Sequence, residues 1–432
     1  MDSAVAAPAI SLRRNVVWAL AGNVGYAACQ WGVLVVIAKL ASAADLGRFA
    51  LGLALSAPVM ILANLQLRAL QATDARRAHA FGVYLGLRCG TTVVALAAIA
   101  GIAGMLGYRA ATLWLIVIVA LAKSFEALSD VVLGLLQQGE DLRRVAVSML
   151  IKGVMSLSAV WLLLVFTGSV SAAALALALA WGTVLVAYDM PNAARRTNIR
   201  PIFERSALTA LAWLALPMGC VSGLNSLTAN VPRYAIEANL GSTALGHFAA
   251  LAYLLVAGTQ PILALGAAAS PRLAHYFCTD RAAYRLLAHR TVALAAGLGL
   301  LIVGAAALGG RSFLTLAYGP EYAEHAPALT WLAAAAAASF VAGALGYAVT
   351  AARRFPPQLV IAALAFAVCA LASAALVPRH GLLGGAWAVL AGEATRLVCL
   401  SLLYAATCAV GLRSEKSGAA SPVAPRGLPA RV

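Results

Sequence analysis

Apolar side chains dominate this chain in long runs, and most of the polar ones fall in short intervals between them. A run of about 18 residues or more covers a hydrocarbon core of ~30 Å as a helix, and the pattern predicts about twelve such spans. They fall at residues 16–38, 49–67, 81–106, 111–136, 145–166 and 171–188, then at 207–227, 244–270, 291–310, 326–351, 359–377 and 383–411. The expected fold class is therefore all-α, a polytopic membrane protein. The first run, entered at 13-RRNVVWALAGNVGYAAC-29, continues to Ala38. That is longer than a signal-peptide core of roughly 7 to 15 residues, so it reads as a retained span.

The pattern also repeats. The connection entering span 2 reads 46-LGRFA-50 and the one entering span 8 reads 245-LGHFA-249, 199 residues later. Pro58 lies ten residues before Arg68, and Pro261 lies eleven before Arg272. Six spans per half, an even number, gives both halves the same orientation and predicts two six-helix lobes related by a parallel pseudo-two-fold. The expected division is an N-lobe at 1–190, a linker at 191–206, a C-lobe at 207–412 and a disordered tail at 413–432. Pro58 and Pro261 are the expected hinges, and a path between the lobes would make the protein a transporter.

Composition supports the membrane reading: 63% of the 432 residues are hydrophobic and 11% charged, with a mean hydropathy of +0.89. Soluble chains are about a quarter charged. The net charge of +16 has no water-facing domain to cluster on, so no nucleic-acid partner is expected. Topology explains it better. Arg13, Arg14, Arg68, Arg76, Arg77, Arg143, Arg144, Arg195, Arg196, Arg200, Arg205, Arg272, Arg281, Arg285, Arg290, Arg353 and Arg354 crowd the start and alternate connections. The other connections carry only Lys39, Arg48, Arg109, Arg233, Arg311 and Arg379. By the positive-inside rule the termini and the arginine-rich connections face the cytoplasm. The seven cysteines form no CxxC, and neither they nor the six histidines have metal-ligand spacing, so no disulfide framework, metal or cofactor is called for. GxxxxGK[ST], DxD, GxSxG and HExxH are all absent, which leaves ATP hydrolysis and catalysis without a starting point.

Charge inside the membrane is the strongest local signal. Lys123, Glu126, Asp130, Gly134 and Gln137 of span 4 recur every three or four residues and form one stripe. A charge near the centre of a span costs about 2.5–3.5 kcal/mol on insertion scales, so the stripe must face a partner or a wet cavity. Arg88 and Asp130 each lie about seven residues from the same end of their spans, ~10 Å deep, with Lys152 at a similar level. A layer of Arg88, Asp130 and Lys152 is expected, with Lys123 and Glu126 nearer mid-membrane. These charges either bind cargo or only tie helices together. Glu393 and Arg396 should form an internal pair, His275 and His289 should be solvated, and Asn23, Gln30, Asn64, Gln66, Asn225 and Asn230 are polar positions inside or ending spans.

The segments 58-PVMILANLQLRALQATD-74, 84-YLGLR-88, 122-AKSFEALSDVVLGLLQQGEDLRRVAVSMLIKG-153, 318-YGPEY-322 and 349-VTAARRF-355 resemble the polysaccharide transporter branch of the multidrug/oligosaccharidyl-lipid/polysaccharide superfamily, the O-antigen and exopolysaccharide flippases. Lys123, Glu126, Asp130, Gln137, Arg68 and Arg88 fall on positions of that pattern. The resemblance implies two bundles opening alternately in a bacterial inner membrane, moving an undecaprenyl-diphosphate-linked oligosaccharide from the cytoplasmic to the periplasmic leaflet for lipopolysaccharide or exopolysaccharide assembly. A diphosphate needs cations in a low-dielectric cleft, and Arg68, Arg88, Lys123, Lys152 and Arg272 form the expected basic set, with Asn23, Gln30 and Asn64 as further binding positions. Glu126 and Asp130 would engage a coupling proton or sodium ion. Other membrane proteins of polysaccharide assembly are the expected partners. The open alternatives are a drug or metabolite exporter of the same superfamily and an integral-membrane enzyme or subunit of glycan assembly.

Overall fold

The computed structural model describes residues 12–74, 79–258 and 260–416. Arg76, Arg77, the side chain of Pro261 and residues 417–432 of the expected tail lie outside the described residues. The elements are α1 (Leu12–Leu40), α2 (Ala43–Asn64), α3 (Leu67–Thr73), α4 (Phe81–Met105), α5 (Ala110–Gln138), α6 (Leu142–Thr167), α7 (Val170–Val184), α8 (Met190–Ala194), α9 (Arg205–Gly258), α10 (Gln260–Thr279), α11 (Arg281–Ala317), α12 (Ala326–Ala351) and α13 (Phe355–Lys416). Helices α9 and α13 are each broken by a residue with non-helical dihedrals, Gly241 (φ 79°) and Gly381 (φ 57°). These positive φ values are where an L side chain would strain the backbone, and they let the chain reverse with almost no loop. With both helices divided there, and α10 continuing the second half of α9, the described residues hold the expected twelve spans.

The two repeat motifs meet each other. Leu46 and Phe49 of α2 and Leu245 and Phe248 of α9 are all buried in one apolar cluster. A β-carbon on Gly47 would overlap the Ser242 carbonyl oxygen, and one on Gly246 would overlap that of Ala43. Each would also come within 3.0 Å of the other glycine's backbone nitrogen. Small residues permit this close helix approach in membranes, where packing is not driven by water. The contact lies at the end of the molecule opposite the arginine-rich connections. There Trp31 Nε1 also donates to Tyr318 Oη (2.7 Å), and Lys39 Nζ donates to the Leu316 carbonyl (3.1 Å).

Toward the arginine-rich end, α2 stops at a turn in which two consecutive non-glycine residues, Leu65 (φ 51°) and Gln66 (φ 53°), adopt left-handed conformations. Such pairs cost of order 1–3 kcal/mol per residue and persist only where neighbours hold them. Leu65 packs on Gly219 of α9, and Gln66 Nε2 donates to Ser222 Oγ at 2.9 Å. The chain then re-enters α3 with Arg68 pointing at α5. Gly134 of α5 leaves room for that crossing, since a β-carbon there would lie 3.3 Å from the Arg68 Cα.

Candidate functional site

The charged stripe of α5 faces inward. A cavity of about 500 Å³ is lined by Ala57, Met60, Ile61, Asn64, Gln66 and Arg68 on one wall and by Lys123, Glu126, Ala127, Asp130 and Gln137 of α5 on the other. It runs from mid-span to the arginine-rich end. Asp130 sits between two guanidiniums: Arg68 Nη1 lies 3.1 Å from Oδ1 and Arg88 Nη2 lies 3.5 Å from Oδ2. Arg68 Nε also donates to Gln137 Oε1 (3.1 Å). Arg88 is fully buried behind the wall and donates to Asn64 Oδ1, while its Nε has no hydrogen-bond acceptor among the described residues. Deeper in, Lys123 Nζ and Glu126 Oε2 pair at 2.7 Å, and Tyr26 donates to Glu126 Oε1 at 2.6 Å. Three cations, Arg68, Arg88 and Lys123, therefore face two carboxylates, Glu126 and Asp130. The cluster carries one excess positive charge where the dielectric is low and charge is felt strongly.

The expected layer of Arg88, Asp130 and Lys152 is corrected by α7. Past Val184 the helix loosens into a π-helical turn, Leu185–Asp189, which turns Asp189 into the lobe. Lys152 Nζ pairs with Asp189 Oδ2 at 3.0 Å, Ser148 donates to Oδ1 at 2.6 Å, and Ser129 bridges the two groups. Both charged side chains are at most 4% exposed, and neither lines the cavity. Lys152 thus ties α5, α6 and α7 together and is removed from the basic set. Asp189 carried a weak sequence signal, as the one acid just past the apolar run that ends at Tyr188. Removing one partner of such a buried pair costs about 3–5 kcal/mol, whereas replacing both costs far less. Lys152→Met should accordingly lower the thermal unfolding midpoint of the detergent-solubilised protein, and Lys152→Met with Asp189→Asn should restore most of it.

Arg272 is exposed on α10 and lines neither this cavity nor the smaller chamber beyond Lys123. Asn23 donates to the carbonyl of Ala19 in its own helix (2.7 Å) and also leaves the set. Gln30 lines a second chamber and reaches Ser156 Oγ at 3.4 Å. Pro58 is buried inside α2. Glu393 and Arg396 pair at 3.0 Å, with Arg396 also on Ser339 Oγ (2.9 Å). His275 and His289 are exposed. Arg233, expected in an outer connection, is buried in α9, bonded to Asn230 Oδ1 (2.8 Å) and stacked on Tyr253. Among the described residues every charged group of the cluster comes from α3, α4 and α5.

Three comparisons with known proteins bear on this architecture. No family model matches the chain. A multidrug resistance MATE family transporter of the MOP superfamily, in an inward-facing conformation, superposes with a TM-score of 0.66 over 94% of this chain and 96% of that one, at 14% identity. A MOP superfamily transporter from Pyrococcus furiosus, described as having a binding pocket of reverse polarity, gives 0.64 over 94% and 96%, at 15% identity. The chain has the MOP transporter fold. Its sequence is also 24% identical over 394 residues to the capsular polysaccharide biosynthesis protein CapF of Staphylococcus aureus, covering 90% of this chain and 98% of that protein. A transporter fold joined to a polysaccharide-assembly relative agrees with the family resemblance carried by the quoted segments. Within that fold the ionisable groups lining the main cavity, Arg68, Lys123, Glu126 and Asp130, all come from the N-terminal lobe.

Proposed function

We propose that the protein is a flippase: it carries an undecaprenyl-diphosphate-linked oligosaccharide from the cytoplasmic to the periplasmic leaflet of a bacterial inner membrane by alternating access. The observation that carries this reading is the surplus positive charge of the Arg68–Asp130–Arg88 cluster beside Lys123. A diphosphate brings compensating negative charge and acceptor oxygens. Arg68, 27% exposed on the cavity wall, can leave Asp130 to take it, because Arg88 stays behind to hold that carboxylate. The positive-inside reading puts Arg68 at the cytoplasmic mouth, where newly made lipid-linked glycan arrives, and both termini in the cytoplasm. The polysaccharide-assembly relative supports this cargo over an organic cation, for which a cavity with excess positive charge is a poor host. Glu126 and Asp130 are the groups that a driving proton or sodium ion would engage. Glycan assembly proteins in the same membrane would supply and consume the cargo.

The test is transbilayer movement in liposomes containing the purified protein. A fluorescent lipid-linked oligosaccharide should become accessible to a membrane-impermeant reagent far faster than in protein-free liposomes. Arg68→Gln, which removes a charge-assisted contact of about 1.5–3 kcal/mol, should slow it by roughly ten- to a hundredfold. Transport of cationic dyes with no movement of the lipid-linked glycan would overturn the proposal.

A further inference from the structure

Beyond Lys123 and Glu126, away from the arginine-rich end, lies a second chamber of about 200 Å³. That is below the roughly 300–1,000 Å³ of a drug-sized pocket and suits one ring rather than a chain of rings. Aromatic and aliphatic residues share its wall, the aromatic ones being Tyr26 and Trp31 of α1, Phe49 of α2, Trp181 of α7 and Tyr253 of α9. The polar groups on it are the Gln30 amide and the Lys123–Glu126 pair, which also line the main cavity. Trp181 is 1% exposed, and its indole N–H has no acceptor among the described residues. Trp31 of this wall is hydrogen-bonded to Tyr318 of the other lobe. Tyr253 is backed by the Arg233 guanidinium, 5.2 Å from its ring centre.

We propose that this chamber is a subsite for a single pyranose ring of the glycan. The inference rests on the cargo reading above and adds where the first sugar goes while the diphosphate is held at Arg68. Aromatic faces take the C–H face of a sugar ring, and a rim of amide, ammonium and carboxylate takes its hydroxyls. An aromatic box with a carboxylate is also what an organic cation seeks, but here that place is filled. Lys123 Nζ already lies 5.1 Å from the Trp181 ring centre and 2.7 Å from Glu126, so the protein's own ammonium makes the cation–π and ionic contacts. What the chamber lacks is a neutral, hydroxyl-rich ring.

The experiment compares dissociation constants of the purified protein for farnesyl diphosphate and for the same lipid carrying one N-acetylglucosamine. The sugar-bearing probe should bind about five- to tenfold more tightly, the gain from one net hydrogen bond of ordinary strength. Tyr253→Leu, which removes the α9 wall, and Ala27→Phe, which fills the chamber from α1, should each erase that preference. Both should leave the affinity for bare farnesyl diphosphate within about twofold of the parent. Equal affinities for the two probes in the parent protein would overturn the subsite and leave the flippase reading standing, as would a preference surviving both variants. Failure of either isoprenyl diphosphate to bind would overturn the cargo reading and the subsite with it.

Discussion

Gly47→Val is expected to hold the two lobes apart at the end away from the arginine-rich connections, and Gly246→Val to do the same. A single β-carbon at either position already overlaps backbone atoms of the other helix, the carbonyl of Ser242 or that of Ala43. Backbone cannot rotate away as a side chain can, so the helices must separate. Forcing extra methylenes into a packed contact costs about 1–3 kcal/mol, enough to move a balanced two-state equilibrium by roughly five- to 150-fold. Spin labels at Leu40→Cys and Thr315→Cys, both exposed near the turns at this end, should report a longer and narrower distance distribution in the valine variants. Transport of any cargo should fall to a small fraction of the parent rate, because a gate that cannot shut breaks the cycle. Unchanged distances would show that this contact is not a gate.

Asp130→Asn is the second large effect. Asp130 is the carboxylate partner of both Arg68 and the fully buried Arg88. Its neutralisation leaves Arg88 uncompensated at a cost of about 3–5 kcal/mol and raises the surplus charge of the cluster from one to two. Arg88→Gln should also abolish transport, by freeing Asp130 to hold Arg68 alone. The double variant Arg88→Gln with Asp130→Asn separates the two roles of this layer. Its thermal midpoint should recover toward that of the parent, since no buried charge is left unpaired, while transport should stay lost because Arg68 has lost its exchange partner. Recovery of both would mean that the layer only fastens helices.

The sequence carried the level of each charge along its span and little about its direction around the helix axis. Lys123, Glu126, Asp130 and Gln137 were legible because three- and four-residue spacing defines a face and the cost of charge in lipid turns that face inward. The Arg88–Asp130 pair followed from matching depths. Depth alone misassigned Lys152, which lies at the same level but points into the lobe toward Asp189. A π-helical turn supplied that partner, and no periodic pattern announces a turn that breaks the period. Arg233 was misread as an outer residue because α9 continues well past the apolar run that ends at Leu227. The repeat motif was legible as a likeness, but that its two copies touch is a property of the pseudo-two-fold and not of either copy. The aromatic chamber was hidden for a similar reason, since its wall is drawn from four helices of one lobe and a single tyrosine of the other.

The left-handed pair Leu65 and Gln66 cuts α2 off from α3, so torque applied near Gly47 is not transmitted rigidly to Arg68. The turn behaves as a universal joint whose far side is clamped to α9 through Gly219 and Ser222. The outer half of the second span can therefore swing about that clamp while Arg68, held by Asp130 and Gln137 of α5, stays with its own bundle.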